Sequence, residues 1–192
     1  MIVVVTVPSP GRTATAQAGG GALHIEVVGD SQPHALVDDL VRAMGPGFLV
    51  HDATWPGAAA CDFDPMNYRG SITDVVVFST AGNQFSPCTQ TVAGDPERVA
   101  RLSALSAVAF CEQMTVPCFN LLQPPRFDME AMSVERLNTL LRELAERSVV
   151  PPRLRRNDYA ADGLHLADSG QTKWASVIAA AIQSLPTTSG GG

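Results

Sequence analysis

From Leu23 to Val28 the chain reads Leu-His-Ile-Glu-Val-Val and then stops at Gly29-Asp30-Ser31. A short run rich in Val and Ile, with Gly-rich sequence before it and a glycine after it, predicts a strand buried in a sheet. Over Pro33 to Met44 the apolar spacing changes to three and four. Pro33 stands where a first helical turn tolerates proline and Gly45 follows the last periodic residue, which predicts a helix. Ser31 therefore falls on a strand-to-helix turn. The alternation continues with strands over Gly47–Thr54 and Asp74–Thr80, then a helix over Asp95–Phe110 that opens with a capping acid and a proline. A strand over Val116–Leu122 precedes a helix capped by Ser133, whose Val134, Leu137, Leu140, Leu141 and Leu144 form one stripe. Ser148–Val150 makes a short fifth strand. A last helix starts at Asp168 or Ser169, with Trp174, Val177, Ile178, Ala181 and Ile182 facing inward. Strands alternating with helices predict an α/β fold, a three-layer α/β/α sandwich around a central parallel sheet of about five strands. The expected strand order is flavodoxin-like, with the first strand central.

Size and charge narrow the function. The 192 residues suffice for one domain with a core that needs no metal or disulfide, and that domain is placed at 22–186. Residues 1–21 begin with the apolar Met1–Val7, carry no basic residue ahead of it, and continue in Pro, Ser, Thr, Ala and Gly. They read as a disordered leader or, given Ala16-Gln17-Ala18, as the remnant of an export signal; residues 187–192 read as a flexible tail. A net charge of −6 leaves no basic footprint for nucleic acid or an anionic membrane, and the run at Arg153, Arg155 and Arg156 reads as a solvated loop. No stretch is long enough to span a bilayer. The four cysteines lack the short paired spacings and histidine partners of a zinc site, so neither metal nor cofactor is expected.

Polar residues with chemistry recur where the strands end. Ser31 lies at the carboxyl end of the first strand, beside backbone N–H groups able to hold an oxyanion. Gly57 follows the second strand, where the absent side chain lets a backbone N–H approach a ligand. Asn83 follows the third. Before the last helix, Asp162 and His165 stand three residues apart, a spacing at which the carboxylate reaches the imidazole and fixes its tautomer. Taken singly, each has a plain alternative: Gly-Asp-Ser is a common turn and cap, Pro56-Gly57 a common turn. Together they are the parts acyl transfer requires: a nucleophile, an oriented base and oxyanion donors. His34 reads as a solvated helix-start residue, and His51-Asp52 as a strand pair without chemical role.

With these residues in place the chain, from Leu23 to Leu185, resembles the SGNH or GDSL-like hydrolase superfamily. Gly29-Asp30-Ser31 matches its first block, Gly57 its second-block glycine, Asn83 its third-block asparagine, and Asp162-Gly-Leu-His165 its last. The third block departs from the usual Gly-x-Asn-Asp, reading Ala81-Gly82-Asn83-Gln84, and Gln32 stands where the eponymous subfamily has leucine. The resemblance implies Ser31, His165 and Asp162 as a catalytic triad, with Ser31 N–H, Gly57 N–H and the Asn83 amide as the oxyanion hole. The pattern Trp55-Pro-Gly-x-x-x-Cys61-Asp62 is similar to that of small bacterial extracytoplasmic members. Placement of the loops and this resemblance together imply a disulfide between Cys61 and Cys88, and with it an extracytoplasmic or secreted protein, cytoplasmic residence being the alternative. Cys111 and Cys118 read as core thiols or as a second bridge. The short loops Trp55–Phe63 and Ser86–Gly94 suit a small-molecule or saccharide ester with a short acyl group. Other expectations within the same fold are acyl transfer to a carbohydrate, a lipase using Phe63, Phe85 and Phe127 as an acyl channel, and a catalytically silent carbohydrate-binding domain.

Overall fold

A computed structural model describes residues 13–14, 22–68, 72–81, 83, 85–125 and 131–186. Five strands, β1 (Leu23–Gly29), β2 (Phe48–Thr54), β3 (Val75–Ser79), β4 (Cys118–Leu121) and β5 (Ser148–Val149), pair in parallel in the order β2-β1-β3-β4-β5. The first strand is central, as the alternating pattern predicts. A two-residue antiparallel extension, Thr13–Ala14, pairs with His51 and Val50 on the outer edge of β2.

Four helices, α1 (Ser31–Met44), α2 (Pro96–Glu112), α3 (Ala131–Leu144) and α4 (Asp168–Gln183), cover the sheet. Side chains of a strand alternate between its faces. Ile25, Val27, Val75 and Val77 accordingly pack with Leu36 and Leu40 of α1 and Trp174 and Ile178 of α4. Val28, Val76 and Phe78 pack with Ala104 and Phe110 of α2 and Leu137 and Leu141 of α3. These are three layers. Every residue of β3 is buried, which is why Val-Val-Val-Phe-Ser shows no polar alternation.

Three of the boundaries that differ from the sequence reading have a local cause. α1 begins at Ser31 rather than Pro33, because the Asp30 carboxylate accepts the Gln32 N–H (3.0 Å) and caps the helix two residues earlier. α3 begins at Ala131, so Ser133 lies inside its first turn rather than at its cap; Ala131 and Met132 are strong helix formers and carry the helix upstream. Strand β4 is shorter than its apolar run, since Pro117 has no N–H for the ladder and offers only its carbonyl, to Val76 (2.9 Å). Register fixes where function sits. Gly29 lies opposite Thr54 on one side and Ser79 on the other, so the loops leaving β1, β2 and β3 open along one edge.

Candidate active site

Ser31 is held at that edge by backbone contact that admits only glycine before it. A Cβ on Gly29 would stand 1.8 Å from the Ser79 carbonyl oxygen. Asp30, 3% exposed, then staples the turn to β3: its N–H donates to Ser79 O (3.2 Å), and its other carboxylate oxygen accepts Ala81 N–H (2.6 Å). As the first residue of α1, Ser31 has an N–H without a partner inside the helix, at the end where the helix dipole favours negative charge.

The base arrives on a loop closed from below. Tyr159 and Leu166 form an isolated antiparallel bridge, both are buried in the core beneath α1 and α4, and Ala160 N–H donates to His165 O (2.9 Å). Within that closure His165 Nδ1 lies 2.7 Å from Asp162 Oδ2, while the other Asp162 oxygen accepts the N–H groups of Leu164 (2.9 Å) and His165 (3.0 Å). The imidazole hydrogen bond and these two amides hold the Asp162 carboxyl at about 2, below its ordinary 3.8. It is thus ionised near neutrality, fixes the proton on Nδ1, and leaves the Nε2 lone pair toward Ser31 Oγ, 3.3 Å away. That separation is long for a hydrogen bond, as is common before substrate binds. The loop is anchored by Asp158, 1% exposed, which accepts from Lys173 Nζ (2.6 Å), Ser169 Oγ (2.8 Å) and Arg155 N–H (2.8 Å). Arg156, one of the three arginines of the basic run, donates to the carbonyls of Ala160 (3.0 Å) and Ala161 (3.2 Å).

The loops after β2 and β3 meet across the nucleophile turn. Trp55 N–H donates to Gly29 O (2.7 Å) and Asn83 Nδ2 donates to Gly57 O, while Phe85 N–H donates to Asn83 Oδ1 (2.9 Å). Gly57 has φ +90°, a conformation side chains disfavour, and its missing Cβ would sit 3.8 Å from Asn83 Nδ2. A disulfide joins Cys61 to Cys88, and Ser86 Oγ donates to Asp62 beside it, so the two loops are covalently tied.

The structure thus brings Ser31, Asp162 and His165 together, and separately Gly57 and Asn83. It also shows what the sequence reading passed over. Gln32, noted only as a departure from a family pattern, sends Nε2 to the Leu164 carbonyl (2.6 Å) and ties the nucleophile turn to the base loop. Asp158 and Tyr159, whose hydroxyl donates to Pro125 O (2.5 Å), carry no motif; a buried Asp after an arginine run was the one available signal. Burial and the Asp158 charge push the Tyr159 phenol up to about 12, which keeps it a donor. His34 is solvated, as read, and its Nδ1 also contacts Asp52 Oδ2 (2.9 Å) and Thr54 Oγ1 (2.9 Å). His51 pairs with His24, Nε2 to Nδ1 at 3.1 Å, rather than with its neighbour Asp52. Cys111 and Cys118, read as core thiols or a bridge, are bonded, joining the end of α2 to the start of β4. Among the three phenylalanines named for an acyl channel, Phe63 is buried in the core, Phe85 is exposed and Phe127 lies outside the described residues. No group of three metal-ligating side chains occurs among the described residues, and no helix there is long and apolar enough to cross a membrane.

The sequence matches no protein-family profile and no curated protein. Solved structures do resemble it. A carbohydrate acetylesterase of Sinorhizobium meliloti superposes with a TM-score of 0.64 over 85% of this chain and 100% of its own, at 13% identity. The native aryl esterase of M. smegmatis gives 0.65 over 86% and 100%, at 16% identity. The catalytic domain of peptidoglycan O-acetyltransferase A from Streptococcus pneumoniae gives 0.62 over 85% and 94%, at 18% identity. The chain therefore has the SGNH or GDSL-like hydrolase fold.

Proposed function

We propose that the protein is a serine esterase that cleaves short-chain acyl esters, and the observation that carries this reading is the Ser31–His165–Asp162 relay at the edge where β1, β2 and β3 end. Ser31 Oγ attacks the ester carbonyl while His165 Nε2 takes its proton, and Asp162 stabilises the imidazolium without itself being protonated. The carbonyl oxygen becomes an oxyanion held by Ser31 N–H, Gly57 N–H and Asn83 Nδ2. One hydrogen of that amide is committed to the Gly57 carbonyl, which aims the second. Collapse breaks the ester C–O bond, and His165 returns the proton to the departing alkoxide. Water, deprotonated by the same nitrogen, then attacks the acyl-Ser31 carbonyl, frees the carboxylic acid and restores the serine.

Solvent access favours hydrolysis over transfer. The side chains of His165 and Asp162 are 42% and 49% exposed, so water reaches the acyl-enzyme. A cavity of about 490 Å³ lined by Val108, Met114, Asn120 and Leu144 lies where α2 and α3 end and β4 begins, the opposite end of the sheet from Ser31. Phe63 is packed in the core and so does not line an acyl channel beside Ser31. The natural substrate is read as a small ester or an acetylated saccharide. The two disulfides fit an oxidising, extracytoplasmic compartment. The test is a nitrophenyl ester series with Ser31→Ala as control. Each methylene a pocket buries adds about 0.8 kcal/mol, so an open site predicts kcat/KM highest between two and about six carbons, and activity lost by several orders of magnitude in Ser31→Ala. An undiminished Ser31→Ala rate would overturn the mechanism; a maximum at twelve carbons or more would overturn the substrate class.

A further inference from the structure

Two large aromatic side chains stand in water on the loops that carry the oxyanion donors. Trp55 is 56% exposed and Phe85 80% exposed, and neither makes a ring contact among the described residues. An aromatic left this open forgoes most of the stabilisation that burial would bring, and folding gives no account of either ring. Their backbones are nevertheless fixed. Trp55 N–H is bonded to the carbonyl of Gly29, two residues before Ser31, and Phe85 N–H to the side chain of Asn83. The Cys61–Cys88 disulfide and the Asn83–Gly57 hydrogen bond couple the two loops, so both rings are carried by one linked pair of loops beside the site.

We infer that Trp55 and Phe85 form the binding subsite for the alcohol half of the ester, and that they take an alcohol presenting a flat ring face, aryl or pyranose. This rests on the esterase reading above. The acyl half needs only the small space beside Ser31. The alcohol oxygen must lie at His165 Nε2, which protonates it, and the group it carries extends outward to solvent, where the adjoining loops form the rim. An exposed ring there offers its face to an aryl group by stacking, or to the axial C–H bonds of a sugar, at little conformational cost because the backbone is already held. A linear alkyl alcohol has no such face, so the rings discriminate by leaving-group shape rather than by acyl length.

The test compares phenyl acetate and an O-acetylated methyl pyranoside with ethyl acetate, as ratios of kcat/KM within each variant, so that intrinsic ester reactivity cancels. In Trp55→Ala and in Phe85→Ala the ring-to-ethyl ratio is expected to fall about three- to tenfold for one or both ring esters, mainly through KM. Trp55→Phe and Phe85→Tyr, which keep a ring, are expected to restore most of it. A drop with phenyl acetate alone identifies an aryl site, and a drop with the pyranoside alone a saccharide site. Labelling of Ser31 by a fluorophosphonate, followed in the same variants, reports whether the triad is assembled. Ratios that stay at the wild-type value while Ser31 labels would overturn the subsite. Wild-type protein whose Ser31 fails to label would instead overturn the esterase reading beneath it.

Discussion

Asn83 performs two tasks with one amide. Its oxygen accepts the Phe85 N–H and its nitrogen donates to Gly57 O, so the side chain cannot rotate away from the rim. Replacing it with alanine removes the proposed oxyanion donor and the tie between two loops. Asn83→Ala is therefore expected to lower kcat about 10²–10³-fold, measured with a short nitrophenyl ester, and a loss below threefold would exclude it from the oxyanion hole. Gly29 shows the other kind of residue constraint, since any Cβ there collides with the β3 carbonyl against which the turn is built. Both were legible as sequence: a glycine ending an apolar run, an amide directly after a strand. Gln32 was not, because its bond to Leu164 O crosses 132 positions and depends on where two loops happen to meet.

Among the elements, the strands and helices were readable because their apolar periodicity is the packing itself. Ile25 and Val27 face one layer and Val28 the other, and the same alternation recurs in β3. The early start of α1 follows from Asp30 as a cap, a role its sequence position already offered, whereas its second role, as staple to Ala81, depends on tertiary structure and was not readable. The loops were legible only as compositions. Their coupling yields a prediction that separates the two disulfides. Cys61–Cys88 closes a span of 27 residues and Cys111–Cys118 one of 7. On chain entropy alone, removing the first by paired Cys→Ser substitution costs about 3.5 kcal/mol and the second about 2.4 kcal/mol, read from urea midpoints. The first also frees the Gly57 and Asn83 loops and is expected to lower kcat, whereas the second, at the far end of β4, leaves kcat as it was. Equal activity losses from both would show that the bridge between the site loops has no special part in holding the oxyanion donors.

Across the whole molecule, the site depends on a buried charge that no motif announced. Asp158 is held at about 2, below its ordinary 3.8, first by its hydrogen bond from Lys173 and then by those from the Arg155 N–H and Ser169. A carboxyl whose folded value is depressed adds stability that is complete above its unfolded value and is lost as pH falls through the folded one. The thermal midpoint is therefore expected to drop as pH is lowered from about 4 to about 2, and to drop less steeply in Asp158→Asn, where that linkage is gone. An unchanged slope would place the acid sensitivity elsewhere. Asp162 is depressed in the same direction, so the carboxylate that orients His165 stays ionised at milder acidity. The account as a whole stands on Ser31 being a nucleophile activated by His165. Its most direct test is the mass of the intact protein, with peptide mapping, after exposure to a fluorophosphonate probe. A single adduct on Ser31, formed far more slowly in His165→Ala, is the predicted result. An adduct on another residue, or none, in protein that hydrolyses acetyl esters would contradict it.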